Sequence, residues 1–187
     1  MKKWDRKNAL RILLYSFLYF VGTLIVCVLG AIHPIMFVCY QIMAGILLTG
    51  IVITAFDKVK SFGVSLCLAI FIIIVFFVIQ DASLWHCIPL LFIAVMAEII
   101  RAAFKYTKKG DIAASVIMTF STFGYYGQIW FNRKYTYDCA VEEMPAGYAD
   151  TLMSVSPMWV LPVVIIVSIL ISVGIAELTA KIFKIDK

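Results

Sequence analysis

The chain has 187 residues, 64% of them hydrophobic and only 14% charged, with a mean hydropathy of +1.02. An average soluble domain carries roughly a quarter charged residues, so this composition excludes a water-soluble globular protein and implies an integral membrane one. The net charge of +5 would point to nucleic acid in a soluble chain; here its placement along the sequence is accounted for by membrane orientation, and no nucleic-acid partner is expected.

A hydrocarbon core about 30 Å thick takes about 20 apolar residues per helix. With charged and turn-forming residues as punctuation, the sequence divides into six such spans, at 9–30, 34–56, 63–80, 85–104, 112–131 and 158–182. They form one membrane domain over 1–187, with an outer loop at 132–156. The basic head Lys2, Lys3, Arg6 and Lys7 resembles the start of a signal peptide. The apolar run behind it is too long for one, however, and no small-x-small cleavage site follows, so a retained spanning helix is expected. Gly110-Asp111 reads as a helix stop followed by an N-cap, and Ser156-Pro157 as an N-cap followed by proline at the first helical position.

Charge then alternates between the loops. Fourteen of the sixteen Lys and Arg fall on one side: the head with Arg11, then Lys58 and Lys60, then Arg101, Lys105, Lys108 and Lys109, then Lys181, Lys184 and Lys187. Only Arg133 and Lys134 fall on the other. Because cytoplasmic loops carry the excess of basic residues, both termini are expected in the cytoplasm, with the long loop outside.

Few polar residues interrupt the spans. The HExxH, GxSxG and P-loop patterns are absent, and the chain is read as no enzyme, with no catalytic residue. Glu98 and Arg101, three residues apart near the inner end of the fourth span, read as an ion pair anchoring the helix or as a point of coupling to a partner subunit. Glu177 and Lys181 have the favoured order for a pair four residues apart. The five cysteines stand singly; they signal neither a zinc site nor a disulfide framework, and a Cys87–Cys139 bridge on the outer face is left open.

The outer half is richer. His33 and His86 fall at the outer ends of spans two and four, at the depth of Trp85, Tyr125, Tyr126, Trp130, Tyr135, Tyr137, Tyr148 and Trp159. An interfacial aromatic belt accounts for part of this set. In the fifth span, Tyr125, Gln128 and Trp130 with Gly124 and Gly127 between them mix ring faces, a polar tip and close backbone approach, which suits either a cavity wall or helix packing. In the long loop, Val141, Met144, Tyr148 and Leu152 form an apolar stripe interrupted by Pro145 and Gly147. The alternatives for this segment are a structured cap over a pocket and a mobile loop.

Taken together, the six spans, the turn Gly30-Ala31-Ile32-His33-Pro34-Ile35-Met36-Phe37, the run Tyr148-Ala149-Asp150-Thr151-Leu152 and the stretch Ser156-Pro157-Met158-Trp159-Val160-Leu161-Pro162 resemble the Trep_Strep (MptD-like) family. Its members are described as S components, the substrate-binding subunits of energy-coupling factor (ECF) importers. The resemblance covers nearly the whole chain. It implies an all-α bundle of six transmembrane helices in the bacterial cell membrane, with no intrinsic cofactor. Such a subunit captures a micronutrient outside and delivers it through a T component and two ATP-hydrolysing subunits. It further implies an outer pocket drawn from His33, Asp81, Trp85, His86, Tyr125, Gln128, Trp130, Tyr148 and Trp159; coupling to the T component is expected through another surface than the usual one, with Ser16 and Gly22, or Glu98 and Arg101, as the candidates. Leu13 and Phe17 depart from the family of S components, standing where small residues usually allow close helix approach.

Aromatic faces with few charges suit a flat, weakly charged substrate, either a vitamin-like cofactor or haem or a related tetrapyrrole. Only in the haem case would His33 and His86 act as metal ligands. The competing class is a non-transport membrane protein, either a small enzyme or an assembly partner of another membrane complex.

Overall fold

The computed structural model describes residues 4–185; Lys2, Lys3 and Lys187, which contribute to the expected charge asymmetry, lie outside the described residues. Among the described residues all regular structure is helical. Four helices are long and apolar enough to cross a membrane: α1 (Arg6–Ile32), α3 (Tyr40–Lys58), α5 (Leu84–Ala103) and α11 (Val160–Ile182). Between α1 and α3 lies the short α2 (Pro34–Val38), which starts with proline at its first position and is capped by His33 Nδ1, the acceptor for Ile35 N–H. The apolar α4 (Val64–Val78) is shorter, at 15 residues.

The expected span 112–131 is not one helix. It consists of α6 (Lys108–Met118), α7 (Phe123–Tyr126) and α8 (Gln128–Phe131). The backbone tightens between them: the amides of Thr119, Phe120 and Ser121 bond three residues back, to Val116, Ile117 and Met118. The local sequence favours this, because the Thr119 hydroxyl donates to its own helix at Val116 O and the glycines at 124 and 127 weaken any continuation. Backbone carbonyls released in the middle of a bundle need other donors. Gln41 Nε2 supplies one, to Thr119 O at 3.1 Å, and the Tyr19 hydroxyl adds a second bond, at 2.8 Å, to Met118 O, which also accepts from the Ser121 amide. Tyr19, Gln41, Thr119 and Ser121 are all buried.

α3 is the central helix, packed between α1 and α11. Its close approach to α11 needs Gly45, where an added Cβ would lie 2.7 Å from Ser172 Oγ and 3.3 Å from Ser168 O. The main core runs through Tyr19, Leu48, Val52, Phe56, Leu68, Ile72, Leu90 and Met118. Outward-facing positions on α1, α4, α5 and α11 are large and apolar, among them Leu13, Phe17, Ile74, Phe92 and Leu170. In water such a surface would aggregate; against lipid tails it is the expected exterior.

At the end where α1 begins, Arg101 is 0% exposed and ties three elements together. Its Nε donates to Asp111 Oδ1 at 2.8 Å and its Nη1 lies 3.3 Å from Glu98 Oε1; its guanidinium stacks 4.0 Å from the Phe56 ring centre. Glu98 Oε1 in turn accepts from both the amide and the hydroxyl of Ser65 at the start of α4. The Glu98–Arg101 pair is thus present, but as part of a wider buried network. Three local readings differ. Asp111 is not an N-cap: α6 starts earlier, at Lys108 with Thr107 as cap, and the Asp111 carboxylate is engaged by Arg101 instead of by its own helix. Pro157 precedes α11 rather than opening it, as Trp159 is the cap residue. Glu177 meets Lys108 across the α6–α11 packing at 3.5 Å.

Candidate functional site

The loop 132–156 is structured. α9 (Arg133–Glu143) and α10 (Tyr148–Val155) are separated by the break at Met144–Gly147, where Gly147 takes a φ of +82°, a left-handed conformation that glycine adopts without steric cost. Arg133 closes the segment on itself: its Nη1 donates to Ser156 O at 2.6 Å and its Nη2 to Met153 O at 3.0 Å. The Tyr137 hydroxyl donates to Asp150 Oδ1 at 3.0 Å, a bond that holds the phenol above its ordinary pKa. Tyr148 and Leu152 are buried, and the Tyr148 hydroxyl donates to Gly30 O at the far end of α1. Of the expected apolar stripe, Val141 is the exception, since it is exposed. The pair α9–α10 therefore forms a cap on the end of the bundle opposite the Arg101 network.

Beneath this cap lies a cavity of about 490 Å³ between α1, α4, the start of α5 and α7. A row of rings forms much of its wall. Phe76 and His86 have centres 4.7 Å apart, His86 and Tyr125 4.1 Å, and Tyr126 stacks on Tyr40 at 3.6 Å. The row is held from α5: Ser83 caps that helix and also meets His86 Nδ1 at 3.0 Å, which fixes the imidazole. Gly124 lets α7 approach α5, because a Cβ there would sit 2.1 Å from Pro89 Cγ. The charged groups on the wall are Asp81 and Glu143. A second, smaller chamber of about 40 Å³ lies directly under α9 and is lined by Gln128, Tyr135, Cys139 and Tyr148. It shares Phe37, Tyr125, Glu143 and Met144 with the larger one.

The residues singled out from the sequence are distributed as follows. Asp81, His86 and Tyr125 line the larger cavity, and Gln128, Tyr125 and Tyr148 the smaller. Trp130 is buried in the cap cluster, 6.4 Å from Phe123. Trp85 and Trp159 are exposed on the outside of the bundle, and His33 is exposed at the α1–α2 junction. The structure does not bring His33 and His86 onto one wall. No group of three or more His, Cys, Asp or Glu converges among the described residues, and all five cysteines are free thiols. Ser16 and Gly22 face inward, toward Cys67 O and Leu48, while Leu13 and Phe17 face out. Glu98 and Arg101 are interior.

Sequence reasoning missed Phe37, Phe76, Tyr126, Glu143 and Met144 as wall residues. Tyr126 stands in the outer aromatic set and Met144 in the loop stripe, but only packing brings both rings of the Tyr125-Tyr126 pair and Met144 to one cavity. Gln41 and Tyr19 are polar residues inside apolar helices, a pattern that marks positions with a buried polar partner.

A search among curated proteins and one among solved structures each gave no match. The family model described as hypothetical bacterial integral membrane protein (Trep_Strep) matches residues 6–184. With nearly the whole chain covered and several helices apolar enough to span a bilayer, the chain belongs to the Trep_Strep family of integral membrane proteins.

Proposed function

We propose that this chain is the substrate-capture (S) subunit of an ECF-type importer in the bacterial cell membrane. In this reading six spans cross the bilayer: α1, α3, α4, α5, the broken α6–α8 and α11. Both termini are cytoplasmic and the α9–α10 cap is outside. The observation that carries the proposal is the cavity of about 490 Å³, roofed by the cap and walled by aromatic rings. Its size is in the range of small-molecule sites, and few charges face it.

A flat, weakly charged organic micronutrient suits such walls, since rings offer stacking faces and an apolar environment. A tetrapyrrole would meet His86 on this wall, with His33 outside it. The outward face of α1, bulky at Leu13 and Phe17, would be met by a T component shaped to it, with two ATPase subunits supplying the energy.

Mass spectrometry of small molecules co-purifying with the detergent-solubilised protein from its native membrane, together with its absorption spectrum, tests the proposal. A stoichiometric organic molecule or a Soret band, with co-purifying ATPase subunits, is the expected result. A protein that brings down neither a small molecule nor an ATPase would overturn it in favour of a membrane enzyme or an assembly partner.

A further inference from the structure

Gln128 opens α8, is 4% exposed, and has no hydrogen-bond partner on either its Oε1 or its Nε2. Native proteins seldom bury a primary amide with both ends unpaired, because the group has given up its bonds to water and gained none. Gln128 is one of the residues around the smaller chamber and not of the larger cavity, but the chamber's walls Phe37, Tyr125, Glu143 and Met144 are also walls of that cavity. An unsatisfied amide therefore stands beside the aromatic cavity, within the space roofed by α9.

We infer that Gln128 reads the hydrogen-bonding edge of the captured molecule, and that this molecule is a planar nitrogen heterocycle in which a ring N–H stands next to a carbonyl. The inference rests on the substrate-capture reading and narrows it. A primary amide is complementary to such a lactam edge: its oxygen accepts the ring N–H while its NH₂ donates to the carbonyl, in one plane. Exchanging the amide's oxygen and nitrogen reverses the edge but keeps the pairing. Tyr125 and Phe37, which border both chambers, offer stacking faces to the rest of the ring system. Asp81 and Glu143 on the wall disfavour an anion. A tetrapyrrole carrying carboxylates fits this less well, because carboxylates only accept hydrogen bonds and would leave the Gln128 oxygen unpaired.

Lumazine, a fluorescent pteridinedione whose two ring N–H groups both stand beside carbonyls, and N,N-dimethyl-lumazine, in which both ring N–H groups are methylated, provide the probes. Fluorescence titration of the full-length protein in detergent is expected to give binding of lumazine at least about tenfold tighter than of the dimethyl compound, the loss expected when a buried polar group goes unpaired. Gln128→Leu is expected to bring lumazine down to the dimethyl compound's affinity, to leave the latter unchanged, and to unfold no earlier than the parent when empty. Absence of lumazine binding, equal affinity for both compounds, or an unchanged preference in Gln128→Leu would overturn the inference. An earlier unfolding of empty Gln128→Leu would do so too, marking the amide as a structural group bonded through a trapped water, for which about 10–15 Å³ of cavity space suffices. A co-purifying molecule lacking an N–H beside a carbonyl sinks the heterocycle and leaves substrate capture standing.

Discussion

Tyr19 donates its hydroxyl proton to the carbonyl of Met118 across 99 residues of sequence, at the point where α6 stops being helical. Ser121 Oγ lies 2.6 Å from the same phenol oxygen, so one side chain of α1 serves both sides of the break. The break places α7, and with it Tyr125 and Tyr126, against the cavity. Tyr19→Phe keeps the ring and removes only the bond. It is expected to destabilise the protein by about 1–2 kcal/mol, the upper range for interhelical hydrogen bonds in membrane proteins. Chemical unfolding in detergent measures this; an unchanged midpoint would show that the Ser121 amide alone satisfies the Met118 carbonyl.

The Arg101 network should respond to piecemeal change more strongly than to wholesale replacement. Arg101→Met leaves Glu98 and Asp111 buried without their cation, at a cost of about 3–5 kcal/mol. Combining it with Glu98→Gln and Asp111→Leu removes the uncompensated charges and should recover a large part of that loss. Yield of monodisperse protein and unfolding midpoints for the single and triple variants check the order; a triple variant less stable than the single one would contradict it.

Two glycines of similar appearance in the sequence should behave oppositely. At Gly124 a methyl group would collide with the Pro89 ring, which cannot rotate away. Gly124→Ala is therefore expected to cost about 1–3 kcal/mol through overpacking and to shift the Tyr125 wall. At Gly174, on an exposed stretch of α11, nothing lies within 4 Å of the added Cβ. Gly174→Ala should stabilise by about 0.5–1 kcal/mol through helix propensity alone. Thermal unfolding of the two variants side by side distinguishes them.

Docking of the cap should weaken in alkali. Burial pushes the Tyr148 phenol up to about 12, so the folded state keeps its proton after the unfolded chain, near the ordinary value of 10.0, has lost it. The stabilisation is complete below pH 10 and falls as pH rises toward 12. Limited proteolysis within 132–156 should accelerate across that window in the parent. Tyr148→Phe, which lacks the hydrogen bond to Gly30 O, should be cut faster at neutral pH and lose the Tyr148 component of the alkaline dependence.

The class of the molecule was legible in the sequence because hydropathy is additive along a chain: α1, α3, α5 and α11 follow from runs of apolar residues long enough for a bilayer. The Glu98–Arg101 pair was legible for a related reason, as residues three apart on a helix are neighbours whatever the fold. The break within 112–131 was not. A helix ends in the middle of a bundle only if distant side chains satisfy the carbonyls it releases, and those donors, Tyr19 and Gln41, lie on other helices. Asp111 was misread as a cap for the same reason, its partner Arg101 being brought to it by packing. At the end of the bundle that carries the cap, the sequence gathered His33, Trp85, His86, Tyr125 and Trp159 at one depth, but depth is a single coordinate. Rotation about each helix axis sent His86 and Tyr125 to the cavity, while Trp85 and Trp159 went to the exterior. Composition and periodicity thus determined that this is a bundle of apolar helices with a polar loop at 132–156. Contacts between residues far apart in sequence decided where one helix breaks, which rings meet, and that the amide of Gln128 is buried with its hydrogen bonds unmade.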